Sequence, residues 1–358
     1  MISMDKHIIF IADNNHFRLW PGKTYYDLLM YMTTNCKQYK IHLFWTDTSS
    51  YIIDEAIAQY RPELIVFFIT GYMKLECAGF EYLFHKQIPV ACAMLDMFFP
   101  YYGKDDYKNP DALIHVGKNK NIVDLYRSFF PTKFVGSFCS RFINVNRFKD
   151  YGLEKQYDIL IYGNRTHMVD FKKESMLRPI EKFIDEYETN TGETVDEDTQ
   201  LNFYYLRKRL ENILVKYADK YRLKILPESG IYNAEVANDS LSMLINQSHI
   251  TVACTTISDV MMHKYLEIAA SKSVILGNVP SDYTDLLSGN MIEVTMFMDE
   301  SLIIDKIDAA LANPEEMNRM ANTMYTRVHR DHNFDRAVDN FESVFREISL
   351  HSQQKRSS

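Results

Sequence analysis

Short apolar runs recur along the chain, each separated from the next by a polar turn and a stretch of helical periodicity. In the N-terminal part they lie at residues 7–12, 40–45, 62–70, 89–95 and 112–116. Each run has the length of a strand and is apolar on both faces, as in a parallel sheet covered by helices. Strands that alternate with helices indicate βαβ units. The pattern therefore predicts an α/β domain with a parallel sheet.

A second series of apolar runs begins after a stretch of mixed polarity. Residues 134–156 show no sustained period, which predicts a linker, and new strands are expected at 157–162, 223–226, 249–253, 274–276 and 291–294. An amphipathic helix is expected at 201–221. Because 358 residues exceed one ordinary core, we predict two Rossmann-like domains, 1–145 and 146–332, and a final helix with a polar tail at 333–358.

Composition narrows the class of protein. The formal net charge of −8 argues against a nucleic-acid partner, since a surface that follows phosphates needs a basic excess. The five cysteines are scattered without zinc-site spacing, which predicts reduced thiols, no metal and a cytoplasmic location. No apolar stretch approaches the ~20 residues of a transmembrane segment. Peripheral membrane contact stays open through the aromatic and basic residues 127–134.

Three familiar nucleotide and hydrolase motifs are missing from the sequence. GxGxxG, GxxxxGK[ST] and GxSxG do not occur, which disfavours a dinucleotide oxidoreductase, a P-loop enzyme and the commonest α/β hydrolase. What remains is a diphosphate held by loop N–H groups and scattered basic side chains.

The stretch 254–280, CTTISDVMMHKYLEIAASKSVILGNVP, carries the clearest site pattern. A polar loop precedes a short helix whose polar face presents His263, Lys264 and Glu267, and a buried strand follows. In open α/β sheets ligands bind where loops at the carboxyl ends of strands converge, and phosphates bind at helix N-termini. The pattern predicts a nucleotide-diphosphate site.

The segment HKYLEIAASKSVILGN resembles the donor-binding core of the GT-B class of glycosyltransferases, and in particular the group related to spore-maturation and group 1 enzymes. The resemblance covers roughly residues 157–345. It implies two Rossmann-like domains facing across a cleft, a final helix that crosses back to the first domain, and no metal or bound cofactor. The donor would be a UDP- or GDP-sugar. Asp259 and Glu267 have the spacing of the two glutamates of retaining members, but the aspartate leaves the stereochemical class open.

The resemblance also implies roles for individual side chains. Glu267 would accept hydrogen bonds from the ribose hydroxyls, with His263 and Lys264 near the diphosphate. The residue types of the neighbouring loops add further candidates for donor binding, namely Asn164, Arg165, Thr256, Ser258 and Asp259. Hydroxyls, amides and cations suit a diphosphate because the leaving group departs as an anion.

An inverting enzyme also needs a base that takes the proton of the acceptor hydroxyl. We expect this base in the first domain, where polar residues follow the predicted strands. Asp13 and His16 come after the first strand, and Asp96 follows the fourth.

Three functions remain compatible with these patterns. The first is a metal-independent hexosyl- or pentosyltransferase that moves sugar from a nucleotide donor to a glycan, lipid-linked or small-molecule acceptor. The second is a non-catalytic sugar-nucleotide-binding protein, favoured by the aspartate at position 259. The third is a sugar-nucleotide epimerase of the same two-domain shape.

Overall fold

The chain forms two compact α/β units in the computed structural model. The first comprises residues 1–141 and 334–358, and the second comprises residues 142–333. The structure describes residues 6–13, 23–69, 79–94, 109–117, 120–138, 141–170, 180–196, 198–228 and 240–357.

The first unit is built on a six-stranded parallel sheet in the order β2-β1-β3-β4-β5-β6. Its strands are β1 (Lys6–Ala12), β2 (Tyr39–Trp45), β3 (Leu64–Ile69), β4 (Val90–Met94), β5 (Ala112–Val116) and β6 (Phe134–Phe138). Helices α1 (Lys23–Asn35), α2 (Ser50–Tyr60) and α3 (Lys120–Phe129) and a 3₁₀ helix (Glu81–His85) connect them. Residues 8–12 of β1 are fully buried, as the continuous apolar run predicts for a central strand.

The second unit contains a five-stranded parallel sheet in the order β10-β7-β11-β12-β13. The strands of this unit are β7 (Tyr157–Ile161), β8 (Met168–Asp170), β9 (Gln200–Asn202), β10 (Leu223–Ile225), β11 (Ser248–Val252), β12 (Val274–Gly277) and β13 (Ile292–Glu293); β8 and β9 form a separate antiparallel pair. Its helices are α4 (Glu181–Thr191), α5 (Tyr205–Val215), α6 (Ser240–Asn246), α7 (Lys264–Ala270), α8 (Thr284–Leu287), α9 (Glu300–Leu311) and α10 (Pro314–Asp331), with a 3₁₀ turn at Ser281–Tyr283.

The last helix, α11 (Phe334–Ser357), packs on the first unit. Phe345 lies against Phe10 of β1, with ring centroids 5.7 Å apart. Glu342 is 2% exposed and accepts hydrogen bonds from the backbone N–H groups of Lys37 and Gln38, both at 2.6 Å. This carboxylate fixes the helix to the loop that leads into β2.

Both parallel sheets reverse their strand order once. In the second unit the chain adds β10 on one side of β7 and then β11 on the other, so the reversal lies between β7 and β11. In the first unit it lies between β1 and β3. Ligands of open α/β sheets bind outside the carboxyl ends of strands at such points. The topology therefore selects the residues that follow β7 and β11.

The predicted α/β fold class with two Rossmann-like units is confirmed. The prediction of a linker over 134–156 is wrong for its first residues, because residues 134–138 form β6 beside β5. Gly136 interrupts the apolar pattern by which this strand could have been predicted from the sequence. A Cβ there would lie 2.6 Å from the Phe134 ring, so the glycine makes room for that side chain.

Two further boundaries differ from the prediction. The helix expected at 201–221 covers only Tyr205–Val215, because residues 200–202 pair with β8. That antiparallel pair was not predicted. The polar tail, expected at SQQKRSS, continues the last helix up to Ser357, since exposed polar residues such as Gln, Lys and Arg are good helix formers.

Replacing Glu342 by alanine should destabilise the first unit. Two backbone N–H groups would lose a buried charged acceptor, which costs about 2–3 kcal/mol in the free energy of unfolding. Urea unfolding measures the loss, and hydrogen exchange of the Lys37 and Gln38 amides localises it. Glu347→Ala, at an exposed position of the same helix, is the control. Equal stabilities of the two variants would contradict the assignment.

Candidate functional site

The loops that follow β7 and β11 lie side by side. The two strands pair in parallel, with Thr251 opposite Leu160. On the far side of β11, a Cβ at Gly277 would lie 1.7 Å from the carbonyl oxygen of Ala253. The missing side chain at Gly277 thus lets the end of β12 approach the loop after β11, which gathers three strand ends into a small space.

Glu267 is held by a tyrosine from the neighbouring strand end. Tyr162 follows β7, is 1% exposed, and donates its hydroxyl proton to Oε2 of Glu267 at 2.6 Å. Burial, and then the carboxylate charge, raise the pKa of Tyr162 well above its ordinary value, so the phenol stays protonated. Glu267 itself is 8% exposed. Its Oε1 accepts no hydrogen bond from the described residues.

Lys264 lies one turn before Glu267 on α7 and is 9% exposed. Its Nζ is 3.8 Å from the centroid of the Tyr162 ring, a cation–π contact. Burial, assisted by the charges of Arg207 and Arg165, lowers the pKa of Lys264 to about 7, and Glu267 opposes this shift. Within the described part of the chain, no oxygen lies within hydrogen-bond distance of this ammonium group.

Gly163 makes room for Lys264. Its φ is +81°, and a Cβ at this position would lie 2.3 Å from Nζ of Lys264. A residue with a side chain would be strained in this backbone conformation and would collide with the ammonium group. The first residue of the loop after Tyr162 is therefore a glycine for two independent reasons.

Arg165 is 3% exposed and is held by both backbone and carboxylates. Its Nη1 donates to the carbonyl oxygen of Gly163 at 3.0 Å, and its Nε lies 2.7 Å from Oε1 of Glu211. Glu228 accepts the backbone N–H groups of Arg165 and Thr166 at 3.1 and 3.0 Å. The predicted basic residue is present at the site, with its charge already partly compensated.

Arg207, on α5, was not predicted from the sequence. It is 1% exposed, and its Nη1 and Nη2 donate to the carbonyl oxygens of Asn164 and Cys254 at 2.6 and 3.3 Å. Its guanidinium also lies 4.7 Å from the centroid of the Tyr204 ring. A charged residue inside the apolar run of an amphipathic helix gives no sequence signal beyond an interruption of the pattern.

The other residues predicted to bind the sugar donor differ in their burial and in their hydrogen bonds. Thr256 is 2% exposed, and its Oγ1 is buried without a hydrogen-bond partner among the described residues. Ser258 is buried as well. Asp259 adopts a φ of +55°, and its Oδ2 accepts the backbone N–H of Ser281 at 3.1 Å, so it braces a turn. His263 precedes α7 and packs edge-on against Phe142, with ring centroids 5.8 Å apart.

The base candidates belong to the first unit. Asp13 follows β1, is 3% exposed, and donates its backbone N–H to the carbonyl of Phe68 at 3.3 Å. It thus lies at the point where that sheet reverses its strand order. His16 and Asp96 fall outside the described residues.

Within the described ranges, no group of three or more His, Cys, Asp or Glu side chains is arranged to hold a metal ion. The described helices include none that combines the length and apolarity needed to cross a bilayer.

Comparison with known proteins identifies the class of fold. Residues 207–343 match the family described as glycosyl transferase-like. No curated protein matches the sequence. The N-terminal domain of trehalose-6-phosphate phosphatase from Candida albicans is 10% identical with a TM-score of 0.57, covering 98% of this chain and 98% of that chain.

Two further solved structures match almost the whole chain. HepE from Anabaena in complex with UDP-glucose is 9% identical with a TM-score of 0.54, covering 95% of this chain and 99% of that chain. A glycosyltransferase from Rickettsia africae is 9% identical with a TM-score of 0.54, covering 96% and 98%. The fold is that of the GT-B glycosyltransferases, as the resemblance predicted. The segment that matches the family contains Arg207, Lys264 and Glu267.

Replacing Tyr162 by phenylalanine should destabilise the second unit by about 1–3 kcal/mol, because a buried carboxylate would lose its donor. Urea unfolding followed by circular dichroism measures this change. Tyr221→Phe is a matched control, since that hydroxyl donates to Asp308 at 2.8 Å and the Asp308 side chain is 40% exposed. We expect the smaller loss in the control, and the reverse order would show that Tyr162 does not support Glu267.

Proposed function

We propose that this protein is a glycosyltransferase that binds a nucleotide-diphosphate sugar at the carboxyl ends of β7 and β11 and transfers the sugar to a hydroxyl of a glycan or small molecule. One observation carries the proposal. Lys264 is only 9% exposed at the strand-order reversal, it feels the charges of two arginines, and its ammonium group has no oxygen partner among the described residues.

An ammonium group on a largely buried side chain without an oxygen partner is unfavourable, because it loses much of its hydration and gains no compensating hydrogen bond. A diphosphate would supply the missing oxygens and would neutralise the charge of Lys264. The unpartnered Oγ1 of Thr256, in the loop after β11, would be a second donor. A nucleotide diphosphate therefore satisfies groups that the described part of the protein leaves unsatisfied.

Glu267 suits the ribose of the same ligand. Its Oε2 is fixed by Tyr162, while its Oε1 is available to accept a hydrogen bond from a ribose hydroxyl. Asn164, Arg165, Ser258 and His263 complete the proposed donor site. Asp259 accepts a hydrogen bond from the backbone N–H of Ser281, so we propose that it supports the donor site by stabilising a turn.

The chemistry follows from the charges. Departure of the nucleoside diphosphate places negative charge on its terminal phosphate, and the preorganised cations Lys264 and Arg207 would stabilise it. With that charge compensated by side chains, we propose that the reaction needs no metal. Asp13, His16 and Asp96 remain candidates for the base that receives the acceptor proton. The buried free thiols of Cys92 and Cys254 favour a reducing, cytoplasmic setting.

Calorimetry with UDP- and GDP-sugars and chromatographic assays of donor consumption with panels of acceptors test the proposal. We expect binding of at least one nucleotide sugar and transfer that persists in EDTA. Binding without transfer or hydrolysis would favour the non-catalytic alternative, and conversion to an epimeric donor would favour the epimerase. If no nucleotide sugar binds, the proposal is wrong.

Gly163→Ala should abolish donor binding at a modest cost in stability. The strain of an alanine at positive φ is about 1–2 kcal/mol, and the clash with Lys264 can be relieved only by moving the ammonium group. Gly152→Ala is a matched control, because its φ is +64° and a Cβ there meets nothing within 4 Å. We expect similar melting temperatures for both variants and, in calorimetry, loss of donor binding only in Gly163→Ala. Retained binding in that variant would remove Lys264 from the site.

Donor affinity should fall as the pH rises above neutrality. The pKa of Lys264 is lowered to about 7 in the free protein, and a bound diphosphate raises it, so binding above that pH requires uptake of a proton. The affinity is then highest below the free pKa and declines by at most about tenfold per pH unit above it. Calorimetry across this range measures the decline. Lys264→Met should bind weakly at every pH, and a pH-independent wild type would contradict the mechanism.

A further inference from the structure

Arg207 has the largest of the fully buried side chains that the structure describes. Its partners are two carbonyl oxygens and an aromatic ring, and its Nε is buried without a hydrogen-bond partner in the described ranges. No described carboxylate lies within ion-pair distance of it. A buried cation of this kind is strongly unfavourable unless it is compensated. An apolar residue would extend the stripe of Leu206 and Leu210 more cheaply, so packing alone does not explain the arginine.

The two carbonyl groups that Arg207 contacts belong to different loops. Asn164 lies in the loop after β7, and Cys254 lies in the loop after β11. One rigid guanidinium fork therefore joins the two strand ends at which the sheet reverses its order. The neighbouring carbonyl, that of Gly163, is held by Arg165 in the same way.

Arg207 also acts electrostatically on Lys264. Its positive charge, together with that of Arg165, opposes the protonated form of Lys264, whereas Glu267 on α7 favours that form. Tyr162, whose ring underlies the ammonium group, stays neutral because its pKa is raised. These are the ionisable groups for which the structure gives an interaction with Lys264.

We propose that Arg207 is a positioning residue of the donor site, which ties the loop after β7 to the loop after β11 and places a fixed positive charge beside Lys264. This inference deepens the proposed function and rests on it for the identity of the ligand. In the free protein, burial lowers the pKa of Lys264, and the fixed charge of Arg207 adds to this effect. When the anion arrives, the same charge attracts it, so the cost of burying Arg207 is offset on binding.

The direct test is an NMR titration of Lys264 in the full chain labelled with ¹³C-lysine. The Lys264 signal is the one missing from Lys264→Met. We expect its wild-type midpoint to lie below those of the exposed lysines, and Arg207→Gln to shift it upward. Arg207→Lys, which keeps the charge, should restore the low midpoint. Arg209→Gln, on the same helix and bonded to the carbonyl of Met298, should leave it unchanged.

Two results would overturn the inference. One is a wild-type midpoint equal to those of exposed lysines, a measurement that needs no variant. The other is an unchanged midpoint in folded Arg207→Gln. If Arg207→Gln does not fold, the wild type and Arg207→Lys test the inference instead. A Lys264 midpoint that rises in Arg207→Lys to the range of the exposed lysines would contradict the role of the Arg207 charge.

Calorimetry with the UDP- or GDP-sugar that the wild type binds tests the tie between the loops. Arg207→Lys reaches fewer carbonyl groups than a guanidinium fork, so we expect its affinity to fall by about tenfold, and that of Arg207→Gln to fall further. Wild-type affinity in Arg207→Lys would exclude the tie. Because the NMR titration uses no nucleotide, failure of the proposed function, in which no nucleotide sugar binds, is distinguishable from failure of the role of Arg207.

Discussion

The second unit depends on positive charge buried where parallel strands end. Arg165, Arg207 and Lys264 converge on the loops after β7 and β11, and burial in such a place disfavours charge strongly. The protein meets this cost in different ways. Arg165 is paired with Glu211, Arg207 is bonded to two carbonyl groups, and Lys264 lies over the Tyr162 ring with a lowered pKa. The least compensated of these cations is the one that an anionic ligand would stabilise most.

Two glycines make this concentration of charge sterically possible. Gly277 lets the end of β12 approach the carbonyl of Ala253, and Gly163 gives the ammonium group of Lys264 its space. At both positions a glycine is needed because another atom of the protein comes too close for a side chain. Neither glycine belongs to a glycine-rich phosphate-binding motif. A diphosphate site without GxGxxG is thus compatible with an open α/β sheet, because side chains take over the role that backbone N–H groups have in the dinucleotide-binding fold.

The sequence was informative wherever a signal is local. The apolar runs predicted nearly all of the parallel strands, and the helical spacing of Lys264 and Glu267 placed both on one short helix. It failed where a residue acts through a distant contact. Tyr162 and Glu267 are 105 residues apart, and the partners of Arg207 come from both strand ends, so no window of sequence contains either arrangement. Strand β6 was missed because Gly136, which makes room for the Phe134 ring, weakens the strand pattern.

The two sheets share the same reversal of strand order but present different chemistry there. In the second unit the residues after the strands at the reversal include buried cations, whereas in the first unit the residue that follows β1 is Asp13, a buried carboxylate. Sugar transfer from a nucleotide donor needs both kinds of group, since the leaving diphosphate must be stabilised and, in an inverting reaction, the acceptor hydroxyl must lose a proton. A carboxylate placed among Arg165, Arg207 and Lys264 would be held in its ionised form and would be a weak base. The buried carboxylate and the buried cations belong to separate units, so the packing around each sets its electrostatic surroundings independently.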